Sequence, residues 1–203
     1  MKAGGKVIFI DRDGVINKDP GGWTEHSYVT RWQDFHFLEG SLDALTLFKK
    51  FGFKVVIISN QAGVGRNLFS REDLDRVTVK MLTAISNHGG MIENIYYCTH
   101  KKEDNCNCRK PKTGMLEDAM DKYEVRPQET YFIGDSIVDV EAGARLGIET
   151  VFVLSGKTSL EESRKWPIKP DHVFSNLLEA ARWITAKEKR RAERAFKRKE
   201  KGN

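Results

Sequence analysis

Val7-Ile8-Phe9-Ile10-Asp11-Arg12-Asp13-Gly14-Val15 decides how the rest of the chain is read. Four consecutive apolar residues predict a strand buried on both faces, as in the parallel sheets of α/β proteins. Side chains alternate along a strand, so Asp11 and Asp13 project to one side where the strand runs out. Gly14 then permits a sharp turn. In open α/β sheets the crevice beyond the strands' carboxyl ends is where ligands bind. Two carboxylates held there repel each other and call for a cation or a shared proton. A lone Asp in this position is an ordinary solvated turn residue, whereas a pair behind an apolar strand marks a candidate site.

Outward from this stretch, strand and helix patterns alternate, which predicts βαβ units and a parallel sheet flanked by helices in three layers. Leu42, Leu45 and Phe48 recur at three-residue spacing in Ser41–Phe51, with Gly52 as the stop. Lys54–Ser59 is a β-branched strand. Arg71–Asn87 is a helix capped by Ser70, with Asp73 three residues later. Strands are expected at Ile95–Cys98, Tyr131–Ile133 and Val151–Leu154. Helices are expected at Thr113–Tyr123, Ile137–Leu146 and Leu177–Ala186.

The 203 residues fit one domain over 1–186 followed by a basic tail, 187–203. That tail holds nine Lys/Arg against three Glu, a surplus of six, so the remainder of a chain of net charge +5 carries −1. It reads as a solvated, frayed helix extension, with polyanion binding as the alternative. No apolar run reaches the ~20 residues of a membrane helix, and no signal-peptide core is evident at the start. Three cysteines crowded into 98–108 do not make a secreted disulfide framework, so a cytoplasmic monomer is expected. His26, His36, His88 and His172 lack partners in sequence and read as surface or satisfied residues.

Polar sets follow four successive strands: Asp11 and Asp13; Ser59-Asn60-Gln61; Arg109-Lys110; and Gly134-Asp135-Ser136-Ile137-Val138-Asp139. A parallel sheet brings its strand ends to one edge, so these sets converge. The acids suit an oxygen-preferring divalent cation, and Mg²⁺ leaves positions for phosphate oxygens. A hydroxyl and an ammonium would hold the remaining phosphate oxygens. One carboxylate is then left to attack phosphorus. A second set, Cys98-Thr99-His100-x5-Cys106-Asn107-Cys108, offers four ligands for tetrahedral Zn²⁺ with no position left open, a structural rather than catalytic metal site. Its polar filler could not bury a core, so the metal would supply the folding energy.

With these motifs in this order, residues 6–157 resemble the haloacid dehalogenase (HAD) superfamily of phosphatases. The resemblance implies a Rossmann-like fold, with Asp11 as nucleophile and Asp13 as acid/base. Ser59 and Lys110 would hold the phosphate, and Asp11, Asp13, Asp135 and Ser136 would form the Mg²⁺ site, with Asp139 in support. The zinc loop narrows the resemblance to small, capless members of subfamily IIIA, the group of the heptose-bisphosphate and histidinol-phosphate phosphatases. Tyr96-Tyr97-Cys98, the stretch Asn60–Arg66 and Lys112-Thr113-Gly114-Met115-Leu116 are closer to the heptose enzymes. Arg12, Asp19, Asn60, Gln61, Arg66 and Arg109 are expected to bind substrate, a phosphorylated sugar. The stretch Asp19–Val29 departs from the pattern by being several residues longer than the usual substrate loop. A nucleic-acid 3′-phosphatase using the basic tail and a zinc-stabilised interaction module are the rival readings; nucleic acid is not the expected partner.

Overall fold

The structure is a computed structural model that describes residues 6–24 and 26–201. Met1–Gly5, Glu25 and Gly202-Asn203 lie outside it. Six strands form one all-parallel sheet: β1 Val7–Ile10, β2 Lys54–Asn60, β3 Asn94–Cys98, β4 Tyr131–Gly134, β5 Glu149–Val153 and β6 His172–Phe174. Their order is β3-β2-β1-β4-β5-β6. Six helices cover it: α1 Ser41–Lys50, α2 Arg71–Asn87, α3 Gly114–Tyr123, α4 Ile137–Arg145, α5 Leu160–Ser163 and α6 Leu177–Lys201.

Strand alternation builds the layers. Ile8 and Ile10 of β1, with Val55 and Ile57 of β2, face α1, α2 and α6 through Leu45, Phe48, Met81 and Ile184. Val7 and Phe9, with Val56 and Ile58, face α3 and α4 through Met115, Leu116 and Ala142. Both faces of the central strands are thereby dry, which is why Val7–Ile10 and Val55–Ile58 carry no polar residue. The chain reverses direction of winding between β1 and β4, and this switch point opens the crevice at their carboxyl ends.

The boundaries expected from sequence agree with the structure to within a residue or two for most elements, and Ser70 and Asp73 form the anticipated capping box on α2. Two elements were not anticipated. β6 is a three-residue edge strand and α5 a single turn, both too short to show a periodicity. The last helix also outruns the expected end at Ala186. It continues because Thr185 and Glu188 are still buried, and beyond them Ala, Lys, Arg and Glu are strong helix formers. Glu188 accepts from Tyr131 Oη (3.1 Å), and Lys187 Nζ reaches Glu149 Oε2 (2.7 Å), while residues 189–195 are all exposed. Ending the chain after Glu188 is therefore expected to leave the thermal midpoint unchanged. Ending it after Ala186 should lower it by roughly 5 °C, from losing one or two partly buried polar contacts; differential scanning calorimetry of both truncations checks this.

No helix among the described residues is long and apolar enough to cross a membrane.

Candidate functional site

The strand ends deliver their polar residues into one cleft of about 570 Å³, within the ordinary range for a small-molecule site. Asp11 and Asp13, Ser59 and Asn60, Arg109 and Lys110, and Asp135 and Ser136 all line it, from four successive strand ends. Asp19 and Arg66 line it as well.

At its floor, carboxylate oxygens of Asp11, Asp135 and Asp139 lie within 4.8 Å of one another. Two glycines make this convergence possible. A Cβ on Gly134 would stand 2.2 Å from the Asp139 Cβ, and one on Gly14, where φ is +83°, 2.5 Å from Asp135 Oδ2. Lys110 reaches the trio from behind. Its Nζ donates to Asp139 Oδ1 (2.6 Å) and to the Ile58 carbonyl (2.8 Å), and lies 3.0 Å from Asp11 Oδ1. All of these groups are buried, and the one ammonium contacts two of the three acids, Asp11 and Asp139.

The electrostatics register that imbalance. Burial, with the Asp139 and Asp13 charges adding to it against the pull of Lys110, raises Asp11 to about 6. Burial and the charges of Asp139 and Asp11 push Asp135 well above the usual carboxylate range. Lys110 is held at about 12, the two carboxylates outweighing its own burial. Three oxygen donors short of positive charge at the end of a parallel sheet form a donor set suited to a hard divalent cation.

Several residues expected to touch substrate or metal have polar side-chain atoms committed to other protein groups. Arg12 and Gln61, expected to bind substrate, are fully buried and line no part of the cleft. Both turn to Asp13: Arg12 donates through Nη2 to Oδ2 (2.9 Å), and Gln61 Nε2 to the same oxygen (2.8 Å). Asp13, expected among the Mg²⁺ ligands, lines the cleft with its side-chain oxygens held by these donors, while Asp139, expected in support, has a carboxylate oxygen in the trio. Ser136 caps α4 instead, its Oγ donating to Asp139 Oδ2. Asn60 spends both amide atoms on the backbone of Lys110, donating to its carbonyl (3.1 Å) and accepting from its N–H (3.0 Å). Sequence reasoning missed His26, Tyr28 and Lys157, which also line the cleft. The unusual length of the 19–29 loop was the one available signal for the first two.

Beside the cleft, Cys98, His100, Cys106 and Cys108 gather at the end of β3. Their sulfurs are 3.2–3.6 Å apart, and His100 Nδ1 lies 3.2 Å from Cys108 Sγ. Zn–S bonds of about 2.3 Å would set sulfurs about 3.8 Å apart at tetrahedral vertices, so the set fits Zn²⁺. Burial pushes the Cys98 thiol above its ordinary range. Cys106 is held down to about 7 by hydrogen bonds from Cys108 and the backbone of Arg109, against its own burial. The knot also carries Arg109, whose Nη1 donates to the His100 carbonyl (3.5 Å).

Comparison with known proteins agrees with this geometry. The model of the HAD-hydrolase-like family matches residues 107–180. The chain is 36% identical over 181 residues to the D-glycero-β-D-manno-heptose-1,7-bisphosphate 7-phosphatase of Neisseria meningitidis, covering 88% of this chain and 94% of that one. The Pasteurella multocida enzyme of the same name is 36% identical over 79% of this chain and 88% of its own. A crystal structure of D,D-heptose 1,7-bisphosphate phosphatase from B. bronchiseptica, complexed with magnesium and phosphate, superposes with a TM-score of 0.83. That match is at 30% identity and covers 90% of this chain and 99% of that one. The shared fold, the strand-end acids and this similarity along nearly the whole length lead to one conclusion: the chain belongs to the heptose-bisphosphate phosphatases of the HAD-like hydrolase family.

Proposed function

We propose that the protein is a cytoplasmic, monomeric phosphomonoesterase dependent on Mg²⁺, which removes the 7-phosphate of D-glycero-D-manno-heptose 1,7-bisphosphate through a phospho-aspartate intermediate. The observation that carries this reading is the convergence of the Asp11, Asp135 and Asp139 carboxylates beside Lys110. Asp11 attacks phosphorus as the ester P–O bond breaks, and Asp13 gives its proton to the departing alkoxide. Asp13 then takes a proton from the water that cleaves the Asp11 acyl-phosphate, returning both groups to their starting state. Lys110 and Ser59 hold non-bridging phosphate oxygens in line for attack. Held by Asp11, Asp135 and Asp139, Mg²⁺ would neutralise the charge of the phosphoryl oxygens. Arg66, Arg109 and Lys157, lining the cleft from three separate segments, provide for the second phosphate of a bisphosphate.

Zinc in the Cys₃His knot is structural, since four protein ligands leave no open position. The nucleic-acid 3′-phosphatase reading loses its motive. The cationic stretch of α6 leaves the body beside the starts of β4 and β5, at the edge of the sheet opposite the cleft.

Phosphate release from a panel of heptose bisphosphates, histidinol phosphate and 3′-phosphorylated oligonucleotides tests the assignment. The bisphosphate is expected to give the highest kcat/KM, and preference for histidinol phosphate would reject the sugar while retaining the phosphatase.

The pKa shifts also fix a pH dependence. An Asp11 carboxyl raised from 3.8 to about 6 makes the folded, metal-free protein hold more protons than the unfolded chain between those values. Its stability therefore falls as pH rises through that window. A bound cation removes the penalty but must first displace the proton. The rise in thermal midpoint on adding Mg²⁺ is accordingly expected to be small at pH 5 and larger at pH 7.5, as read by scanning fluorimetry. An Mg²⁺ response independent of pH would contradict the ligand assignment.

A further inference from the structure

The carboxyl group of Asp13 is held by donors from three side chains. Arg12 approaches it with Nε and Nη2 (3.2 and 3.0 Å to Oδ1) and again with Nη2 (2.9 Å to Oδ2). Asn17 Nδ2 donates to Oδ1 (2.8 Å), and Gln61 Nε2 donates to Oδ2 (2.8 Å) while also reaching Ser59 Oγ (3.1 Å). The socket they form is anchored in three strands: Arg12 follows β1, Gln61 follows β2, and the guanidinium lies 5.7 Å from the ring of Tyr97 in β3. Arg12, Asn17 and Gln61 are each 0% exposed, so none of them can touch a substrate. The arrangement leaves Arg12 Nη1, Asn17 Oδ1 and Gln61 Oε1 buried without protein partners. A site selected for packing alone would hold apolar side chains here, because burying polar atoms unpaired is unfavourable.

Resting on the phospho-aspartate reading above, we propose that Arg12 and Gln61 are positioning residues that fix the carboxyl of Asp13 against the cleft wall and aim its proton at the leaving group. The aim follows from the chemistry of the socket. N–H donors on both oxygens, from the guanidinium of Arg12 and the amides of Asn17 and Gln61, fix the plane of the Asp13 carboxyl group. A proton carried on a group so fixed is presented at the cleft, which Asp13 lines. In the first half-reaction the Asp11 O–P bond forms as the alcohol's O–P bond breaks, and that proton goes to the alkoxide. Misaiming Asp13 should therefore hurt in proportion to how much the leaving group needs a proton.

Gln61→Met removes both amide hydrogen bonds at nearly constant volume, and Arg12→Lys keeps the charge but loses the two-pronged contact. The informative parameter is kcat/KM, which stops at alcohol release and excludes the later hydrolysis. For the heptose bisphosphate it is expected to fall about tenfold or more in each variant, through kcat with KM unchanged, as for an impaired general acid. For p-nitrophenyl phosphate, whose anion departs unprotonated, the loss should stay under about threefold. Equal losses on the two esters, or none on either, would overturn the proposal by reducing the socket to a structural feature. Circular dichroism verifies folding, and if one variant does not fold the other carries the same comparison. Failure of the underlying reading looks different: wild-type protein would release phosphate from neither ester, or Asp11→Asn would keep its turnover.

Discussion

Asp11→Asn is expected to lower phosphate release by about 10⁴-fold or more, because removing a covalent nucleophile takes away the reaction path and leaves only residual binding effects. The same substitution should not harm the fold. Asp11 is buried beside Asp139 and Asp13 and resists ionisation, so a neutral amide of equal size removes repulsion. Lys110 keeps Asp139 and the Ile58 carbonyl as partners. In Mg²⁺-free buffer above pH 6 the variant should melt no lower than the wild type. Steady-state phosphate release and thermal melts on the same preparation decide it. Near-normal turnover would refute the nucleophile, and a large loss of stability would refute the electrostatic account.

Loss of zinc should disable the cleft as well as one loop. Cys108 is followed directly by Arg109 and Lys110, and Asn60 grips the Lys110 backbone from the other side with both amide atoms. The lysine is thus held between a metal knot and the end of β2. Cys108→Ser is expected to reduce bound zinc from one equivalent toward none. It should also lower kcat/KM by about 10²-fold, the scale of effect expected when a catalytic group shifts by about 1 Å. Metal content by plasma mass spectrometry, measured alongside activity, tests the linkage. Full turnover in a zinc-free sample would mean that β2 and Asn60 suffice to place Lys110.

The parts of this molecule that could be read from its sequence are those where one physical rule dominates. The β1 and β2 strands are apolar on both faces because helices cover both faces, so their place in a parallel sheet was legible, and with it the position of Asp11, Asp135 and Lys110 at one edge. The Cys/His spacing was equally plain, since thiol and imidazole groups seldom crowd together without a metal. The direction of a single side chain obeyed no such rule. Arg12 stands between two site acids and reads as a substrate ligand, yet it turns inward to Asp13; Gln61 and Ser136 likewise serve other residues. His26, Tyr28 and Lys157 reach the cleft through loop conformations that no periodicity encodes. The length of α6 was underestimated because the apolar spacing ends before the helix does.

That last helix has a practical consequence. It begins after β6, on the side of the molecule where the cleft opens, and runs back across the sheet, so that Lys187 and Glu188 meet the starting residues of β5 and β4. Whatever is joined to its far end by genetic fusion, an affinity handle or a surface attachment, would hang from the rear of the molecule. Immobilised through that terminus, the protein would face its entrance toward the solution.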